Sequence, residues 1–151
     1  MSLDISLTLP GAQLPVPLEQ IWIRAQGQTR QISRAAWHQR HPEREPVTLT
    51  PTHATTDEVY HANITHNLGA MAAAAGLYQV LWRPEELGLT QAQQLIEPLR
   101  AGLRRLAEDP APYEAVAPAN GWGTYAQLVA FVTAYLAACV RFPAAEVRVW
   151  R

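Results

Sequence analysis

The hydrophobic period of this chain changes once, and that change limits the fold more than any single motif. In the first third, apolar residues recur every second position: Ile5, Leu7 and Leu9 in DISLTL, then Ile21 and Ile23 in QIWIRA. Further on they recur at helical spacing: Leu95, Leu99, Leu103 and Leu106 on one stripe, then Leu128, Phe131, Val132, Tyr135, Leu136 and Cys139 on another. Period two marks half-buried strands and the i, i+3, i+4, i+7 pattern marks amphipathic helices. At the C-terminus Val147 and Val149 alternate with Arg148 and Trp150, so Glu146–Trp150 reads as a strand returning to the sheet. Strands grouped apart from helices predict an α+β fold, a small antiparallel sheet covered by about three helices.

Punctuation places the elements. Pro10-Gly11 stops the first strand. Gln26-Gly27-Gln28 reads as a turn joining Gln20–Ala25 to a hairpin partner at Thr29–Ser33. Ser33 is placed to cap a short helix, Arg34 to Gln39, closed by His41-Pro42, and Pro46–Thr50 reads as a strand with Val47 and Leu49 inward. A helix capped by Asn63 or Thr65 is expected to run to a C-cap at Gly76. Pro84 suits the first position of a short helix with Glu85 and Glu86 at its dipole-favoured end. Thr90-Gln91-Ala92-Gln93 and Thr124-Tyr125-Ala126-Gln127 match capping boxes. Pro98 is expected to kink or break the helix that holds it. At 151 residues the chain reads as a single domain, strand-rich over 1–59, helical over 60–145 and closed by a strand over 146–151.

Composition removes several function classes. The 12 basic residues are all Arg, which rules out Schiff-base chemistry and a phosphate-loop lysine. Cys139 is the single cysteine, so no internal disulfide forms, in keeping with a reducing compartment. The N-terminus MSLDISLTLP lacks a basic signal-peptide region, and the apolar run Leu128 to Val140 is about a dozen residues, short of a membrane span. A cytoplasmic protein without membrane association is the expectation. The sequence carries no G-x-S-x-G, glycine-rich phosphate loop or HExxH motif, so no cofactor is called for. Arg24, Arg30, Arg34 and Arg40, with His38 and His41, form an acid-free basic segment between Glu19 and Glu43. The net charge of −1 and pI near 6.5 still argue against general nucleic-acid binding.

Four segments could carry chemistry. One is the basic stretch RAQGQTRQISRAAWHQRHPER, whose Arg, Trp and His suit a confined ligand with a few phosphates unless it is a solvated hairpin with ordinary surface Arg. YHANITHN concentrates His61, Asn63, Thr65, His66 and Asn67 where a helix is expected to begin, more polar groups than capping needs. Free N–H groups at such an entrance favour anions. Leu81-Trp82-Arg83-Pro84 offers a ring and a guanidinium, suited to a phosphate or carboxylate and a stacked ring, unless Trp82 packs in the core and Arg83 pairs with Glu86. Asn120-Gly121-Trp122-Gly123 is a tight loop that could present Trp122. Zinc on His53, Asp57, His61 and His66 is disfavoured, because the His-x7-His-x4-His spacing is outside the usual patterns and cysteine ligands are absent.

NITHNLGAMAAAAGLYQVLWRPEE followed by NGWGTYAQLVAFVTAYLAAC resembles a family of small uncharacterised proteins of bacteria and their phages. The resemblance covers roughly residues 60–151 and pairs THNL…MA…LWRPEE with NGWG. It implies that Asn63, Thr65, His66, Asn67, Trp82, Arg83, Asn120 and Trp122 lie in signature segments, and it supplies no activity or catalytic residues.

These readings lead to a small-ligand-binding domain that recognises an anionic ligand such as a nucleotide or phosphorylated sugar. Asn63, Thr65, His66 and Asn67 would hold the anion, Arg83 would neutralise it, Trp82 or Trp122 would stack, and Asn120 counts with them among the ligand-binding residues. A role in phage biology or defence would follow from the family likeness. The alternatives are a small hydrolase or transferase with His66 or His61 as general base, and a protein-interaction module. Trp and Arg, common interface anchors, also fit a homo-oligomer.

Overall fold

The computed structural model describes residues 2–15, 20–25, 28–49 and 55–151. They fall into two compact units, Met1–Ala12 with Asp57–Arg151, and Gln13–Thr56. The fold is α+β, as the change of period predicts.

The larger unit begins with β1 (Ser2–Thr8). The smaller unit then runs through β2 (Leu14–Pro15), β3 (Gln20–Ala25), β4 (Gln28–Ile32), α1 (Arg34–Arg40), β5 (Thr48–Leu49) and β6 (Thr55–Thr56). Here β3 lies between β4 and β5, and β2 pairs with β6. The β3–β4 hairpin is in register from Ile21 opposite Ile32 to Ala25 opposite Gln28. Of its expected turn, Gln26 and Gly27 lie outside the described residues. Ser33 caps α1 by accepting the Ala36 N–H. Val47 was expected inward and is 89% exposed, because β5 begins only at Thr48; Thr50, the last residue of that expected strand, lies outside the described residues.

The chain re-enters the larger unit at β7 (Glu58–Thr65). A 3-10 turn (His66–Leu68) leads into α2 (Gly69–Ala74) and α3 (Tyr78–Trp82). A second 3-10 turn (Pro84–Leu87) precedes α4 (Ala92–Glu108), α5 (Ala111–Ala115), α6 (Tyr125–Arg141) and β8 (Glu146–Trp150). β1 is the central strand, antiparallel to β7 on one side and β8 on the other.

This sheet corrects the expectation at YHANITHN. Residues 60–65 were read as the start of the helical region, yet they are strand. Tyr60, Ala62 and Ile64 pack on the core, and His61, Asn63 and Thr65 alternate with them. Period two had been present all along, hidden because one face holds a small Ala and the other three hydrogen-bonding side chains. The register sets Ser2 opposite Thr65, Asp4 between Asn63 and Trp150, and Ser6 between His61 and Arg148.

The other face of β1 supplies Leu3, Ile5 and Leu7, all fully buried, to a core shared with α2, α3, α4 and α6. Each such side chain contributes roughly 1.5–3 kcal/mol by leaving water. The helical stripes fall as their period predicts: Leu95, Leu99 and Leu106 are buried on α4, and Leu128, Phe131, Val132, Tyr135 and Cys139 on α6. α4 continues through Pro98 without ending, although proline withholds one backbone donor there. Its cap sits one residue later than expected: Gln91 and Gln94 form the box, since the Gln94 side chain accepts from the Gln91 and Thr90 N–H groups. Thr124 and Gln127 form the second box as read. Gly76 takes a left-handed φ of 70° just beyond α2, and Arg105 donates to the freed Ala75 carbonyl at 3.0 Å.

Candidate functional site

The outward side chains of β7 do not end in bulk solvent. Ser2, Asn63, Thr65, His66, Asn67 and Trp122 line an open cleft of about 460 Å³, a volume in the small-ligand range. Period two puts Asn63 and Thr65 on one face, and the β1 register brings Ser2 opposite Thr65. Thr65 then leaves the strand as the cap of the 3-10 turn, its Oγ1 accepting the Asn67 N–H at 3.4 Å. The turn rotates His66 and Asn67 into the same cleft.

His66 is held from behind. The buried Trp82 indole Nε1–H donates to His66 Nδ1 at 3.2 Å, with the rings edge-on at 5.9 Å between centroids. Tyr78 stacks nearly parallel on Trp82 at 5.3 Å. Trp122 reaches the cleft from the loop before α6 and is 64% exposed. Asn120 Oδ1 accepts the Trp122 N–H at 3.0 Å and so shapes this loop. Gly123 lets the loop close on the turn. Its φ is 121°, and a Cβ there would stand 2.8 Å from Leu68 Cγ and 3.1 Å from Thr65 Cγ2.

Among the described residues, the side chains that line the cleft include no carboxylate and no guanidinium, but a carboxylate bonds two of them. The Asp4 carboxylate accepts from Asn63 Nδ2 at 2.7 Å and from Ser2 Oγ at 3.3 Å, and His61 Nε2 lies 3.6 Å away. Arg83 is not among the lining residues. It pairs with Glu86 at 2.6 Å, and Glu86 with Tyr78 beside it pushes the guanidinium pKa upward.

Five of the eight residues singled out from sequence therefore meet in one place: Asn63, Thr65, His66, Asn67 and Trp122. Trp82 does not reach a ligand, because it is fully buried, and its stacking partner is Tyr78. Arg83 is engaged at the end of α3, and Asn120 acts through the backbone of Trp122. Ser2 and Asp4 were missed. Nothing near them in sequence marks them; only the strand register brings them in.

Other candidates carry less. Burial pushes the Cys139 thiol up to about 12, which leaves no thiolate near neutral pH. Tyr60 and Tyr135 stack at 5.8 Å, and burial, with Cys139 beside them, raises both phenols. In the basic segment Arg34 pairs with Glu45 at 2.6 Å, and the Trp37 indole donates to the Arg44 carbonyl at 2.7 Å. Of the histidines weighed for zinc, His53 lies outside the described residues; among the described residues, no three His, Cys, Asp or Glu side chains group as metal ligands. Among them too, no helix is long and apolar enough to cross a membrane.

No protein-family model, no curated protein and no solved structure matches this chain.

Proposed function

We propose that the chain is a small-ligand-binding domain, and that its cleft takes an anionic, ring-bearing ligand such as a nucleotide or a phosphorylated sugar. One observation carries this reading: Ser2 of β1, the polar end of β7 with the 3-10 turn that follows it, and the exposed Trp122 come from three separate segments and line one cleft. The ligand's ring lies against Trp122, and its acceptor oxygens meet the donors of His66, Asn67 and the second Asn63 amide N–H, while the Ser2 hydroxyl donates to Asp4. Among the described residues no Arg lines the cleft. Affinity then rests on hydrogen bonds and ring contact, and it responds weakly to salt, unlike binding by an arginine cluster.

The test is a thermal-shift panel on the full chain with AMP, ADP, glucose 6-phosphate, inorganic phosphate, adenosine and glucose. Binding raises the melting temperature by mass action as the ligand concentration rises. The shift at a given ligand concentration should shrink in both Trp122→Ala and His66→Ala. A panel without any concentration-dependent shift overturns the reading.

A further inference from the structure

We infer that Trp82 fixes His66 as its neutral Nε2–H tautomer, so that His66 offers the cleft a hydrogen-bond donor and neither a base nor a metal ligand. This rests on the ligand-binding reading for its consequence, though the lock itself is a property of the chain alone.

The argument is one of donor counting. A neutral imidazole has one N–H and one bare nitrogen, whereas an indole nitrogen only donates. Trp82 Nε1–H points at His66 Nδ1 from 3.2 Å, so Nδ1 must be the bare nitrogen and Nε2 carries the proton. The opposite arrangement would set two N–H groups against each other. Trp82 is fully buried and stacked on Tyr78, so its donor has no exchange with water to fall back on. Losing the bond would leave that donor orphaned in the core. With Nδ1 turned to Trp82, the opposite edge of the ring is what His66 presents to the cleft it lines.

Two roles drop out and one remains. A general base needs a lone pair on the nitrogen that faces the substrate, and Nε2 has none in this state. In metal sites the ligating histidine donates its second ring nitrogen to a carboxylate, carbonyl or water; here that second nitrogen receives a hydrogen bond instead. What remains is recognition of an acceptor: a phosphate, carboxylate or carbonyl oxygen is favoured at His66, and an amine is rejected. Trp82 thereby acts as a positioning residue for a cleft it never enters.

Long-range 15N–1H correlation of the imidazole rings tests this on the full chain, with the His66 signals assigned by their loss in His66→Gln. Wild type should show a pyridine-type Nδ1 and a pyrrole-type Nε2, and Trp82→Phe, which keeps a ring for Tyr78, should populate the other tautomer. A pyrrole-type Nδ1 in wild type, or an unchanged pattern in folded Trp82→Phe, overturns the inference. If Trp82→Phe does not fold, Zn2+ added to wild type decides: the lock predicts unmoved His66 signals, and displacement of Nε2–H overturns it. With AMP as probe, His66→Ala should bind roughly tenfold more weakly. His66→Gln, which restores an N–H donor, should recover most of the loss; no recovery overturns the donor role. No AMP shift with the Nε2–H signature intact sinks the ligand reading and supports the lock.

Discussion

Trp82 and Trp122 were equivalent as candidates: Trp82 beside Arg83 and Trp122 between two glycines were each read from the sequence as able to stack on a ligand. In the folded chain they are opposites. Trp82 is fully buried, donates to His66 and stacks on Tyr78, whereas Trp122 is 64% exposed on a cleft. Their neighbours account for the difference. Trp82 closes the helical run Tyr78–Trp82, whose Val80 and Leu81 are also buried, so burying the ring extends an existing core. Trp122 sits between two glycines with positive φ, in a loop with no apolar stripe to continue. An aromatic next to an arginine is thus a poor guide to a site unless its own element lacks a core face.

The largest expected effect tests the buried member. Trp82→Ala removes a fully enclosed ring and orphans the lone pair of His66, and it should cost about 3–5 kcal/mol in urea unfolding. A loss below about 1 kcal/mol would mean that the two tryptophans differ only in position. Next comes the residue that seats the Trp122 loop against the 3-10 turn. Gly123→Ala puts a methyl group against Leu68 and Thr65 at a backbone angle unsuited to alanine, costing about 1–3 kcal/mol. It should also displace Trp122 from the cleft. A neutral result would show that the loop closes on the turn without needing the glycine.

How much of this was legible follows from which interactions are local. The strands DISLTL and QIWIRA, the Ser33 and Thr124 caps and the stripe on α6 all declare themselves within a few residues, and each lies close to where it was read. YHANITHN misled because its strand character depends on β1, some sixty residues earlier in the chain, as with Asn63 and Asp4 (|i−j| = 59). The polar surplus that marked it as a site was real, but its cause was different: an outward strand face meeting a capping turn. Ser2 and Asp4 were invisible for the same reason, since register is a long-range property. Arg83 was misplaced as a ligand contact because Glu86, one helical turn away, is a nearer partner than any ligand.

A smaller effect probes the anchor behind the exposed ring. Thr124 accepts the Gln127 N–H at 3.2 Å, and the Gln127 side chain returns to the Thr124 N–H at 2.9 Å. Thr124→Ala removes half of this box and should cost about 1 kcal/mol, measured by thermal unfolding. Because the cap lies two residues after Trp122, AMP binding should weaken along with it. Unchanged binding would show that Asn120 and Gly123 position the ring unaided.

The smallest stability change is expected where the functional change is largest. Trp122→Ala deletes a ring that is mostly in water, so unfolding should move by less than about 0.5 kcal/mol. Stacking a ring on an exposed aromatic is worth about 1–3 kcal/mol, so the same substitution should weaken a bound nucleotide by roughly tenfold or more. The pairing of the two measurements matters more than either alone. Loss of binding without loss of stability separates Trp122 from Trp82, for which both should fall together. If Trp122→Ala instead destabilises the fold by more than about 1 kcal/mol, the exposed ring is structural after all, and the contrast between the two tryptophans reduces to how much of each ring the core covers.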